Sequence, residues 1–417
     1  MKTSLLLLLL VGCTSVLKKL DIDTPRSLKK APLSITPVTM CGGPSLKSAQ
    51  LIGTNPVIQR GFKDLLKNIL PLELDFKEQV VIWSLMQMNV RPDLATPTSR
   101  LQLLFKENNK TTYLDFAGED TNSYPYVKAL DELLHNHPRK KDLIWYAGLI
   151  DKNAKSQVVV GTSFEKRLLT LKDEIATNPT MRKYFFRGDD TLKESERIAK
   201  INFSHLIQSI KRQPIRANRN SSLNDYRKTP KLKVSCNYDF KLYDESIFLI
   251  GPDESPGHIF GASLGNQAFL AVASQNVEKV ESLFEEPVFR GKGNTRSAAL
   301  CTIFNEGHEI WLSSHNSRDP GQHIYHLFKY GIGSAKKPED IDTLLRHSRH
   351  IFLSDPLRLV IESSRSKPKQ IQDLLKLNVP IYNAEAIGNI WAWSNFNNEG
   401  GRFYLDDRNP GALFCAP

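Results

Sequence analysis

Apolar positions along this chain change their spacing several times, and each change marks a different kind of element. Asp75 and Glu78 have the spacing of a capping box, and Val80 to Met88 is apolar nearly all round, which predicts a helix buried on every side. Strand-like Leu101 to Phe105 and Thr111 to Phe116 flank the polar Glu107-Asn108-Asn109-Lys110, a hairpin signal. Phe164, Leu168, Leu171 and Ile175 then recur on one helical face, and Thr191 with Glu194 predicts the start of a helix carrying Ile198, Ile201 and Ile210. Past residue 232 strands dominate. Hairpin turns are predicted around Leu264-Gly265-Asn266 and Asn305-Glu306-Gly307, each closing on a similar tetrad, Ala273-Ser274-Gln275-Asn276 and Ser313-Ser314-His315-Asn316. Leu357 to Ile361, the helical Ile371, Leu374 and Leu375, and Val379 to Tyr382 read as a βαβ unit with a parallel pair.

These patterns predict an α+β fold in two bodies: a helix-rich α+β domain over 61–210 and a strand-richer α+β domain over 232–417 with hairpins and the βαβ unit. Residues 211–231 carry Arg212, Arg216, Arg219, Arg227 and Lys228 beside Pro214, Pro230 and the single acid Asp225, and read as an exposed basic linker. Residues 13–60 hold Pro25, Pro32, Pro37, Pro44 and Pro56 without a sustained apolar period, which suits a semi-extended tether. The 417 residues include 56 Lys and Arg against 45 Asp and Glu, a net charge of +11, so anionic surfaces are the natural long-range partners. A hydrophobic content of 40% excludes disorder throughout and collagen-like or knottin-like scaffolds.

The N-terminus decides the expected compartment. Lys2 provides a positive start, Leu5 to Val11 an apolar core, and Gly12 a small residue before Cys13, while Lys18 and Lys19 stop the run short of a spanning helix. The quartet Leu10-Val11-Gly12-Cys13 resembles the lipobox of bacterial lipoproteins. That resemblance implies a signal peptide over 1–12 and lipidation of Cys13, whose acyl chains, palmitate among them, anchor an exported body to a membrane. Thr14 after the cysteine, in place of Asp, points to the bacterial outer membrane. Export leaves Cys41, Cys236, Cys301 and Cys415 as candidate disulfide cysteines in any of three pairings. Nucleic acid is then not an expected partner; an anionic envelope polymer or a protein partner is.

Candidate chemistry gathers after residue 257. Gly261-Ala262-Ser263-Leu264-Gly265 matches G-x-S-x-G, the strand-to-helix elbow that exposes a serine nucleophile, although Gly265-Asn266 also reads as a hairpin turn. In the elbow reading Ser263 attacks, and one of His315, His323 or His326, oriented by an acid such as Asp319, is its base. His315, Asp319, His323 and His326 could alternatively hold a Zn²⁺ ion with one open position for water; otherwise no cofactor is expected. Trp391, Trp393, Phe396, Phe403 and Tyr404 offer flat faces to sugars or close a core. The expectation is a lipid-anchored envelope protein acting as a binding or scaffolding component; the alternative is a periplasmic or surface hydrolase of cell-wall or lipid substrates.

Overall fold

A computed structural model describes residues 50–53, 65, 68, 72–118, 123–135, 137–153, 159–241, 243, 257–292, 298–317, 319–354, 357–397, 400–408 and 412–415. The expected signal peptide over 1–12, the expected lipidation site Cys13, and Cys41 lie outside these residues. In chain order the elements begin with β1 (Gln50–Gly53), α1 (Phe76–Val90), β2 (Arg100–Glu107), β3 (Lys110–Ala117), α2 (Pro125–Leu134) and α3 (Leu143–Asn153). They continue with α4 (Thr162–Thr170), α5 (Lys172–Thr177), α6 (Pro179–Phe185), β4 (Phe186–Arg187), β5 (Asp190–Thr191), α7 (Phe203–Lys211), β6 (Asn218–Asn220), β7 (Asn224–Lys228) and β8 (Leu232–Cys236). Next come β9 (Gly257–Leu264), β10 (Gln267–Ser274), β11 (Asn276–Leu283), β12 (Glu286–Lys292), β13 (Ala299–Asn305), β14 (His308–His315), α8 (Pro320–Lys329) and α9 (Pro338–Leu345). The chain closes with β15 (His350–Ser354), β16 (Leu357–Ile361), α10 (Pro368–Leu375), β17 (Ile381–Asn383), β18 (Asn389–Phe396), β19 (Gly401–Tyr404) and β20 (Ala412–Cys415).

The fold is α+β, built as four layers. A seven-stranded antiparallel sheet, ordered β20-β1-β9-β10-β2-β3-β6, packs against a six-stranded antiparallel sheet, ordered β19-β18-β14-β13-β8-β7. Strand alternation separates the faces. Leu101, Leu103, Phe105, Phe269, Ala271 and Ala273 face outward into one core shared with α1, α2, α3 and α7. Their neighbours Leu104, Leu270 and Val272 face inward against Trp311, Trp391 and Trp393 of the other sheet. That sheet's outer residues Cys301, Ile303, Ile310 and Leu312 are covered by α8 and α9. The aromatics near the C-terminus therefore close a core, and the rings of Trp311 and Trp393 lie 4.5 Å apart between the sheets.

Several expected elements are present. Asp75 caps α1 with Glu78 reciprocating, and the helix is buried nearly all round because it sits between the sheet and α2 and α3. The β2–β3, β9–β10 and β13–β14 hairpins form, and β16 and β17 pair in parallel across α10. Others differ. Thr191 lies in β5, and the helix expected there starts at Phe203 under the cap Asn202, because Ser195 adopts φ +71 and interrupts any helix before it. The face of Phe164 to Ile175 is buried as expected but breaks at Leu171 into α4 and α5.

The division into two bodies at 211–231 does not match the sheet topology. Strands β2 and β3 pair with β9 and β10 in one sheet, so both halves of the chain build a single sandwich. Residues 211–231 are exposed, as expected, but they contain β6, which pairs with β3, and β7, which pairs with β8. The segment is a strap from one sheet to the other. The proline-rich tether likewise stops short of residue 60, since Gln50–Gly53 pairs with both β9 and β20. Cys236 and Cys301, opposite each other on β8 and β13, form a disulfide. Among the described residues no helix is long and apolar enough to cross a membrane.

Candidate functional site

The two sheets meet at the ends of their central strands, and the buried polar side chains there are unusually dense. The backbone N–H of Gly257, at the start of β9, donates to Asn316 Oδ1 at 2.9 Å, just past the end of β14. A Cβ on Gly257 would fall 2.9 Å from the His315 ring and 3.0 Å from Val272, so a residue without a side chain is what lets the imidazole sit there. His315 is buried with no partner on Nδ1; burial first, then Arg91, pushes its pKa down to about 3. His258, one residue after Gly257, is buried on the opposite face, where its Nε2 lies 2.9 Å from Gln87 Oε1 of α1.

Ser317 follows in the turn between β14 and α8. Its Oγ lies 2.7 Å from His323 Nε2 and accepts from the Asp319 N–H at 3.3 Å. His323 stands on the first turn of α8, whose cap is Asp319: Oδ1 of that carboxylate accepts from the Gln322 N–H and from the Tyr243 hydroxyl. Burial, with the Arg349 and Arg408 guanidiniums behind it, holds the His323 imidazole well below the ordinary histidine range, which favours the neutral ring with a free lone pair. Gly388, at φ +61, lies directly over this ring: a Cβ there would come within 2.7 Å of Nε2 and 3.4 Å of Ser317 Cβ.

The connection between β17 and β18 that carries Gly388 is held by buried charges. The Arg349 guanidinium donates to the Ile387 carbonyl at 3.1 Å, and the Ile387 N–H donates to Glu362 at 2.7 Å. Arg408 pairs with Glu362 at 2.6 Å and with Asp406 at 3.1 Å, and Arg349 pairs with Asp406 at 2.6 Å. Burial alone would raise the Asp406 carboxyl, but the two guanidiniums outweigh it and hold its pKa below the usual carboxylate value.

The sequence candidates separate in space. Ser263 is not on an elbow. It lies in β9 just before the β9–β10 hairpin turn, donates to the Gln267 carbonyl at 3.2 Å and accepts from Trp393 Nε1 at 3.1 Å. Six strand residues, roughly 20 Å, separate it from Gly257 and hence from His315. The proposed pairing of Ser263 with His315 and Asp319 is therefore not formed, because the hairpin points the serine to the other end of the sandwich. The four zinc candidates do not converge either. His315 ends a strand between the sheets and Asp319 caps a helix. His323 binds Ser317, and His326 stacks on His350 with ring centroids 4.1 Å apart. Among the described residues only Asp75, Glu78 and His137 bring three such donors together. Those are taken: His137 Nε2 is 2.6 Å from Asp75, and Glu78 accepts from Tyr146 at 2.7 Å and from the Asp75 N–H at 2.8 Å. This is a helix cap, not a metal centre.

Sequence reasoning selected His323 but missed Ser317. The pair spans six residues across a turn and a helix start, which matches neither strand nor helix periodicity. The available signal was positional, since Ser317 falls between the tetrad ending β14 and the capping Asp319.

No family model matches this sequence, and no curated protein matches it. Solved structures share the fold. A variant of LmbA2991 is 9% identical with a TM-score of 0.65, over 91% of this chain and 99% of the other. The structure of LmbA2991HD is 8% identical, also with a TM-score of 0.65, over 88% and 98%. The cephalosporin acylase from Bacillus halodurans is 9% identical with a TM-score of 0.58, over 88% of this chain and 96% of that one. The four-layer sandwich is thus common to all of them over almost their whole lengths.

Proposed function

We propose that this protein is an exported hydrolase of amide or ester bonds in envelope components, anchored through a lipid on Cys13, with Ser317 as nucleophile and His323 as its base. The observation that carries the reading is the 2.7 Å contact between Ser317 Oγ and His323 Nε2, with burial keeping the imidazole unprotonated. In this mechanism Nε2 takes the hydroxyl proton as Oγ attacks the acyl carbon, and the imidazolium returns that proton to the departing amine or alcohol. Water, deprotonated by the same nitrogen, then releases the acid. The fold shared with an acylase supports an acyl-transfer chemistry. The lipobox-like Leu10-Val11-Gly12-Cys13 supports the anchor.

A second reading is a non-catalytic binding protein on the same fold. It is favoured by His323 Nδ1, which has no carboxylate to orient the ring, and by Ser317, which is only 3% exposed beneath Gly388. One experiment separates them. Cells expressing the full chain are treated with a fluorophosphonate probe and divided into membrane and soluble fractions. The hydrolase reading expects a labelled membrane-bound protein with the adduct on Ser317, no label on folded Ser317→Ala or His323→Ala, and release of the labelled protein by Cys13→Ser. A folded wild type that takes no label overturns the hydrolase; label that stays on the membrane in Cys13→Ser overturns the anchor.

A further inference from the structure

The opposite end of the sandwich holds a polar cavity, and none of its lining residues belongs to the Ser317–His323 site. Its volume is about 510 Å³, and it lies between the strand ends at the β2–β3 and β13–β14 turns. From His315 to His308 is the full length of β14, roughly 23 Å, so the two regions are separate. The floor is a buried ion pair between Lys106 and Glu309. Glu309 Oε1 accepts from Thr111 Oγ1 and from Trp311 Nε1 at 2.7 Å, while Oε2 takes the ammonium. The Lys106 ammonium has three N–H donors; among the described residues Glu309 is its hydrogen-bond acceptor, and the Trp393 ring lies 5.5 Å from Nζ.

The wall adds an acceptor in the same predicament. Asn395 is 2% exposed, its amide nitrogen donates to Asn266 at 3.2 Å, and its Oδ1 is buried without a partner. A buried carbonyl oxygen left unmatched is costly, and a ligand hydroxyl aimed at it would recover that cost. At the rim stand Lys231, paired with Glu306 at 2.7 Å, and Lys233, 3.6 Å from Asp225. With Asp225 and its second partner Lys228 counted beside the lining, Lys106, Lys228, Lys231 and Lys233 stand against Asp225, Glu306 and Glu309, which leaves one positive charge at this end. Phe304, 37% exposed, adds an apolar ring face beside them.

We propose that this cavity binds a sugar acid, a hydroxylated monocarboxylate one or two rings in size. Its carboxylate takes the remaining Lys106 N–H donors and the charge of Lys233. A ring hydroxyl donates to Asn395 Oδ1, and a sugar face lies on Phe304. One net positive charge matches one carboxylate, and the volume falls within the range of small-molecule sites. This site does not depend on the Ser317–His323 reading.

The test is calorimetric titration of the detergent-solubilised full chain with D-glucuronate, D-glucose and inorganic phosphate. Glucuronate is expected to bind at least tenfold more tightly than glucose or phosphate. Asn395→Leu, which keeps the branched shape and removes the acceptor together with the donor to Asn266, is expected to weaken glucuronate at least fivefold. The exposed-site variants Lys233→Ala and Phe304→Ala are expected to weaken it about threefold each, and they report on the site even if Asn395→Leu fails to fold. Ser317→Ala is expected to bind as wild type. Absence of glucuronate binding by the folded protein, glucose or phosphate binding equally well, or unchanged affinity in the rim variants would each overturn the proposal.

Discussion

The two ends of the inter-sheet layer bury titratable groups in opposite ways. At the Gly257 end, His315 and His323 are buried as neutral imidazoles, and each leaves Nδ1 without a partner. At the far end, Lys106 and Glu309 are buried as an ion pair, with Thr111 and Trp311 donating to the carboxylate. An imidazole can shed its proton at modest cost when desolvated, whereas an ammonium and a carboxylate placed face to face keep their charges by mutual attraction. The first arrangement supplies a base; the second supplies an oriented charge. That difference is why catalysis is proposed at one end and anion recognition at the other.

The sharpest way to break the comparison is to remove one partner of the ion pair. Lys106→Met should leave the Glu309 carboxylate buried without its counter-ion and destabilise the protein by about 3–5 kcal/mol, read from urea unfolding at pH 7. A loss below about 1 kcal/mol would mean that Thr111 and Trp311 alone hold the charge. Next in size is the acid response of the other end. His315 has a folded-state pKa of about 3 against an unfolded value near 6.5, so the unfolded chain binds the extra proton between them and stability falls as pH drops through that window. From this one group the expected loss is about 2.3 kcal/mol from pH 6.5 to 4.5, the slope approaching about 1.4 kcal/mol per pH unit, and His315→Gln should remove that share of the slope while the other buried histidines keep theirs. An unchanged profile would place the acid sensitivity elsewhere. The smallest effect is expected from Ser263→Ala. It strips the acceptor from the Trp393 indole N–H and should cost about 1–2 kcal/mol while leaving fluorophosphonate labelling intact. Loss of labelling at unchanged stability would return Ser263 to the chemistry.

Much of the local structure was legible because it is short-range. The Asp75–Glu78 cap, the three hairpins and the β16-α10-β17 unit are each specified within about 25 residues by turn chemistry and apolar period. The helix expected from Thr191 failed because a capping-box spacing does not reveal that Ser195 takes a positive φ. The two-body division failed for a larger reason. Pro and Arg at 211–231 correctly announce an exposed crossing, but an exposed crossing between two sheets and a linker between two domains have the same composition.

By itself the sequence determined the α+β alternation, the hairpin turns and the lipobox-like start, since all of these depend on neighbours a few residues away. Tertiary structure alone decided that β9 and β10 join β2 and β3, that Cys236 meets Cys301, and that His323 meets Ser317 while Ser263 meets Trp393. Those pairings are set by sheet order and by glycines at 257 and 388 that admit an imidazole at contact distance. Periodicity carries which face a side chain takes; it carries nothing about which distant face will lie opposite.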